Sequence, residues 1–290
     1  MKMFFYRSFV LISAHVGEWF FSAAARTIAT GYFLFKTSAR KNGVRFYETL
    51  FPGQNRFSIY RYTLRQFTNF TDLFIDRLKL VSDNSLTYTM EGWEHLKSAL
   101  NEKTGAILLM SHIGNWEAAA HLLHQDLPDL KLLLFMGVQQ KQTIEGLQKA
   151  HLSQKGVRIV GVDEAGGSPF EIVEGIRFLK SGGFVSMAGD RLWRKDQRAV
   201  SGFFLNAKVR VPEAPFVLSL VSGSPIIFFF SFGTGRGKYH FKACAPVFLR
   251  AGTRGSRPEA IRRAAQSYLA ELESAARSYP FQWYHFEGFF

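Results

Sequence analysis

Residues 107–123 read ILLMSHIGNWEAAAHLL and set an imidazole and a carboxylate, His112 and Glu117, at the seam between two apolar runs. On one continuous helix, positions five apart diverge by about 140° around the axis, so the two side chains would not meet. They can meet if His112 lies in a turn and Glu117 in the opening turn of the helix that follows. Gly114 permits such a bend, Asn115 is a good N-cap, and the helical pattern WEAAAHLLHQ comes next. The positive end of the helix dipole then favours an ionised Glu117. A carboxylate against one ring nitrogen fixes the tautomer and leaves the other nitrogen able to accept a proton, the base-and-orienter arrangement of serine hydrolases without the serine. Such a pair suits a hydroxyl that belongs to the substrate. Its oxygen, once deprotonated, could attack an acyl thioester while the imidazolium protonates the leaving group. As a bare spacing, His-x4-Glu also occurs in purely structural pairs. No third ligand stands at a familiar metal-binding spacing, so neither a metal nor a resident cofactor is expected.

The elements that must position this pair follow from the apolar pattern. Strand candidates fall at 105–111, 131–136, 157–162, 184–188, 226–232 and 239–245, and helical patterns separate most of them. Ser168, Pro169 and Glu171 form a capping box with Pro at the first helical position, and Gly182-Gly183 follows that helix. Further helices are expected from about residue 212 to Gly223 and from Pro258 to Pro280. This alternation predicts an α/β fold, a mostly parallel central sheet flanked by helices. His121 and His124 read as surface or packing residues, and Gly166-Gly167 lacks the full pattern of a phosphate-binding loop.

Residues 8–35 read SFVLISAHVGEWFFSAAARTIATGYFLF, in which His15, Glu18, Ser22 and Arg26 fall along one helical stripe with apolar residues on the other faces. This predicts an N-terminal amphipathic membrane-attachment helix lying in the interface, with a tilted single span as the other membrane arrangement. The stripe could instead pack on the protein's own domain. A segment of residues 1–40 is therefore set apart from a domain over 41–290. The formal charge is +13, and between Arg26 and Arg65 eight basic residues (Arg26, Lys36, Arg40, Lys41, Arg45, Arg56, Arg61, Arg65) face one acid, Glu48. Such a surface would attract anionic lipid, phosphorylated small molecules or nucleic acid. No zinc-finger spacing, RNA-binding signature or helix-turn-helix accompanies it, so no nucleic-acid partner is expected. With Cys244 as the only cysteine, no internal disulfide can form.

The blocks around these residues resemble the lysophospholipid acyltransferase superfamily, and more closely its branch containing the bacterial lipid A late acyltransferases. SHIGNWE resembles the His-x4-(Asp/Glu) block, and SMAGDR, residues 186–191, looks like the second charged block after a strand. Residues 203–230 resemble the third segment, and YPFQWYHFEGFF resembles the aromatic carboxy terminus of the branch. The likeness covers roughly residues 40–290, and the ordered set is far more specific than any single block. It implies transfer of a fatty acyl group from an acyl-carrier-protein or coenzyme A thioester to a hydroxyl of a lipid or glycolipid, at the cytoplasmic face of a bacterial inner membrane. It also implies His112 as general base and Glu117 as its partner. Asp190, Arg191, Asn115 and Gly114 become substrate-binding candidates, Arg191 because a guanidinium suits phosphate; a salt bridge within the fold is the other reading of Asp190 and Arg191. Glu213 stands where many relatives have Gly and is left out of the site. Two rival readings remain: a thioesterase whose dyad activates water, and a non-catalytic basic protein that binds membranes.

Overall fold

The computed structural model describes residues 18–82, 86–138, 157–163, 169–192 and 196–290. Four helices come first: α1 (Glu18–Phe35), α2 (Thr37–Leu50), α3 (Arg56–Phe70) and α4 (Asp72–Ser82). The α/β body follows, with strands β1 (Thr87–Glu91), β2 (Ala106–Met110), β3 (Leu132–Val138), β4 (Val157–Asp163) and β5 (Phe184–Ala188). Next come β6 (Ala199–Phe204), β7 (Ala207–Pro212), β8 (Ile226–Gly235) and β9 (Lys238–Ala243). Helices α5 (Trp93–Asn101), α6 (Trp116–Asp126), α7 (Pro169–Lys180), α8 (Ala214–Ser222) and α9 (Arg257–Ser278) connect and cover them.

Seven strands form one sheet in the order β1-β9-β8-β2-β5-β3-β4. Strands β8, β2, β5, β3 and β4 are mutually parallel; β9 runs antiparallel to β8, and β1 pairs parallel with β9. The central strands read as apolar runs (AILLM, and FVSMA broken only by the buried Ser186) because both faces are covered, and Ile107, Leu109 and Val185 are fully enclosed. The Phe run of β8 is part of this core: Phe228, Phe229 and Phe230 are all buried, and only Phe203 of the other pair stands out in solvent. His121 is likewise enclosed, as a packing residue of α6.

All six expected strands are present. Sequence reading misses β1 and the hairpin of β6 and β7, and the hairpin's turn explains why. Its two central residues, Leu205 and Asn206, both have positive φ (50° and 63°), the geometry of a two-residue hairpin turn. The usual signal for that turn is Asn-Gly or Asp-Gly, and Leu205 disguises it. The capping box at Ser168 and the Gly166-Gly167 loop lie outside the described residues, as do residues 1–17 with His15.

The boundary expected at residue 40 falls inside α2. Helix α1 packs on α3, where Phe33 meets Phe67 and Tyr60 with ring centroids 5.6 and 6.5 Å apart. The buried face of α1 is made of Phe21, Ser22, Ala29 and Phe33, while Arg26 stays exposed and reaches Asp72 of α4 at 4.0 Å. Ile28, Tyr32 and Phe35, at helical steps of four and three, lie on the opposite side and are 70, 50 and 83% exposed. Arg40 caps the end of α1 by donating to the carbonyls of Phe33 and Leu34. No helix among the described residues is long and apolar enough to cross a membrane.

Candidate active site

Strands β2 and β5 are hydrogen-bonded neighbours, and their last residues, Met110 and Ala188, stand in register. His112 and Asp190 each lie two residues further on, so the sheet delivers both to one level at its carboxyl edge, where open α/β sheets bind ligands. The Gly189 N–H extends the pairing by donating to the Met110 carbonyl at 2.8 Å. A Cβ at Gly189 would lie 2.6 Å from the ring of Tyr268 on α9, so only glycine brings Asp190 this close.

The imidazole Nδ1 of His112 lies 2.8 Å from Asp190 Oδ1, and the backbone N–H of His112 donates to Oδ2 at the same distance. The indole N–H of Trp283 donates to Oδ2 as well, again at 2.8 Å. The Asp190 side chain is fully enclosed while that of His112 is 22% exposed. Burial alone pushes the Asp190 carboxyl up, but the electrostatic pull and hydrogen bond of His112, with the Trp283 donor, hold it well below the usual carboxylate range. An ionised carboxylate can only accept, so Nδ1 carries a proton, and in the neutral ring Nε2 is the nitrogen that keeps its lone pair. Among the described residues, none bonds Nε2.

This arrangement changes the expected pairing. Sequence spacing put Glu117 against the imidazole; the carboxylate at Nδ1 is that of Asp190, from a different strand. Glu117 sits where expected, in the first turn of α6, and is buried. Asn115 is the N-cap, its Oδ1 accepting from the Ala118 N–H at 3.0 Å. Its amide donates to the Tyr239 hydroxyl, which in turn donates to Asp76. Both ends of that side chain are thus occupied inside the protein. Gly114 has φ 68°, with its N–H on the Gln282 carbonyl. Arg191 forms an ion pair with Glu287, while Glu213 pairs with Arg198 across the end of the hairpin.

Residues 279–290 form a strap over the histidine turn. Its Tyr284 N–H donates to the His112 carbonyl at 2.8 Å, and Ile113 and Trp283 make an antiparallel bridge. His285 stands edge-on to His112, ring centroids 5.9 Å apart, and burial lowers its pKa so that it favours the neutral ring. Between the strap and β7 a cleft of about 280 Å³ opens on Asp190, lined by Lys208, Arg210, His285, Phe289 and Phe290 among others. Trp283, His285, Lys208 and Arg210 were not singled out from the sequence. The only signal for the first two was the aromatic carboxy-terminal block, which assigns no role to any one residue.

A His–carboxylate pair at the carboxyl edge of the sheet, an acid block after the next strand and an aromatic strap are features that a family comparison can weigh together. The model of the bacterial lipid A biosynthesis acyltransferase family matches residues 2–288. The chain belongs to that family. It is therefore an acyltransferase-family protein over nearly its whole length, with the fold implied by the resemblance of its blocks. No curated protein matches it.

The histidine turn gives a direct test of this geometry. A Cβ at Gly114 would meet the Ser231 carbonyl at 1.5 Å, on top of the penalty for positive φ. Gly114→Ala should cost at least about 2 kcal/mol in urea unfolding. A variant as stable as the parent would show that the turn is not held as described.

Proposed function

We propose that the protein transfers a fatty acyl group from an acyl-carrier-protein or coenzyme A thioester to a hydroxyl of a lipid or glycolipid, with His112 as general base. The observation that carries this reading is an imidazole whose Nδ1 is held by an enclosed, ionised Asp190 while Nε2 is left without a partner among the described residues. In the proposed reaction Nε2 takes the acceptor hydroxyl proton as its oxygen attacks the thioester carbonyl carbon. Collapse of the tetrahedral intermediate breaks the carbon–sulfur bond, and the imidazolium returns the proton to the departing thiolate. The released products are an ester and a free thiol. Asp190 fixes the tautomer and stabilises the imidazolium. Glu117, expected from its motif position to assist the base, would act from the opening turn of α6, through the histidine turn and not at Nδ1.

We place an anionic part of the substrate in the cleft between strap and hairpin, which Asp190 lines and His112 does not. Lys208 and Arg210 stand on its β7 side with no acidic partner among the described residues, whereas Arg191 is occupied by Glu287. We assign the anion-binding role to the two β7 cations, against either the carrier's phosphate or an acidic acceptor. The apolar stripe Ile28, Tyr32 and Phe35, flanked by exposed Lys36 and Arg56, supports peripheral attachment to anionic lipid at the cytoplasmic face of the inner membrane.

Four measurements test this reading. His112→Ala and Asp190→Asn, each still folded, should lower acyl transfer by roughly 100-fold or more; retained turnover in His112→Ala would remove the general-base assignment. Omitting the lipid acceptor should leave only slow release of free fatty acid, whereas equally fast release would identify a thioesterase. Lys208→Met with Arg210→Met should raise KM about tenfold and leave kcat within about threefold, as expected for loss of charge-assisted contacts made in the ground state. For attachment, Ile28→Ser with Tyr32→Ser and Phe35→Ser should abolish co-sedimentation with vesicles rich in phosphatidylglycerol. Undiminished co-sedimentation would place the contact elsewhere.

A further inference from the structure

Asp190 accepts three hydrogen bonds, and two of them come from His112 itself, through Nδ1 and the backbone N–H. The third donor, the Trp283 indole, is the one that ties the carboxylate to a part of the protein other than the residue it orients. The indole has little freedom. Trp283 is 2% exposed, and the rings of Phe46, Phe289 and Phe204 surround it at centroid distances of 4.8, 5.0 and 5.2 Å. Its carbonyl accepts from Gln66 of α3, and its neighbours hold the histidine turn from the backbone side: Gln282 accepts from Gly114 and Tyr284 donates to His112.

We infer that Trp283 is a positioning residue for acyl transfer: its indole N–H fixes the rotamer of Asp190, and through it the direction in which His112 Nε2 points. This rests on the reading of His112 as the base. A carboxylate has two oxygens and a rotatable bond to Cβ. With the His112 donors alone, Oδ2 would be held by the His112 backbone N–H only, a single contact about which the carboxylate and the imidazole could still tilt together. A donor from the strap, aimed at Oδ2, removes that freedom and leaves Oδ1 for Nδ1. A single phenyl ring could fill the indole's space without doing this, so the choice of Trp at 283 has a chemical content separate from packing.

The other ionisable groups facing the pair are His285 and Glu287 of the strap, Arg191 beyond β5, Lys208 and Arg210 of β7 across the cleft, and Tyr268 of α9, whose hydroxyl donates to the Met110 carbonyl at 3.0 Å. All of these remain in a Trp283→Phe variant, so a change in its pH profile reports the lost N–H.

The test is a double-mutant cycle on acyl transfer. Trp283→Phe should lower kcat about 10- to 100-fold, the range for losing a hydrogen bond to a charged group, with KM changed less than about threefold. The acid limb of its kcat/KM profile should move to higher pH, because a carboxylate with one donor fewer attracts the imidazolium proton more strongly. In an Asp190→Asn background the same substitution should change kcat less than about twofold. Equal losses in both backgrounds, or a Trp283→Phe enzyme with the parental kcat and pH profile, would overturn the inference. If Trp283→Phe does not fold, benzothienylalanine introduced at 283 keeps the shape of the indole without its N–H and carries the same expectations. The nuclear magnetic resonance signal of the His112 Nδ1 proton should shift in either variant whatever the substrate. A shift there in an enzyme whose His112→Ala form still turns over would separate failure of the base assignment from failure of the Trp283 role.

Discussion

A carboxylate without solvent contact is stable as an anion only where donors replace the water it has lost. Asp190 is such a group, and much of the architecture around it can be understood as supplying its three donors. The register of β2 and β5 sets His112 beside it, Gly189 lets the chain approach without colliding with Tyr268, and the strap returns after α9 to present an indole N–H. Two donors come from the turn after β2 and the third from the strap near the end of the chain, so the site is complete only when the body has closed over it.

That dependence extends to the amino-terminal helices. Tyr47 of α2 donates to the Pro280 carbonyl, Gln66 and Asn69 of α3 to the carbonyls of Trp283 and Phe281, and Asn42 to that of Phe286. Arg65 lies 4.2 Å from the centroid of the Phe281 ring. Several members of the basic run, read from sequence as a surface for anions, are therefore partly occupied in gripping the strap or, like Arg40, in capping a helix. The same helical layer carries the outward apolar stripe of α1. The strap that orders the imidazole and the exposed apolar residues of α1 are thus carried by one set of helices.

Helix α1 packs on its neighbours through a face that mixes Ser22 with Phe21, Ala29 and Phe33, and turns Ile28, Tyr32 and Phe35 outward. Of the polar stripe read from the sequence, Ser22 is buried while Arg26 stays exposed beside Asp72. Periodicity reports that a helix has two faces. It does not report which of them meets the protein.

The sequence by itself determined the α/β class, the six apolar strands, the turn at Gly114 and Asn115 and the presence of an imidazole there, because each of these is written in local periodicity, capping and backbone freedom. It also carried enough ordered blocks to identify the family. The partner of that imidazole was decided only by the tertiary structure. Glu117 is five residues away and Asp190 is seventy-eight, and a local pattern weighs the near acid while the pairing of β2 with β5 delivers the far one. Trp283 and the β7 cations were hidden for the same reason: their roles depend on which segments the sheet and the strap bring together, and contact across such separations is set by register and packing, which no spacing along the chain encodes.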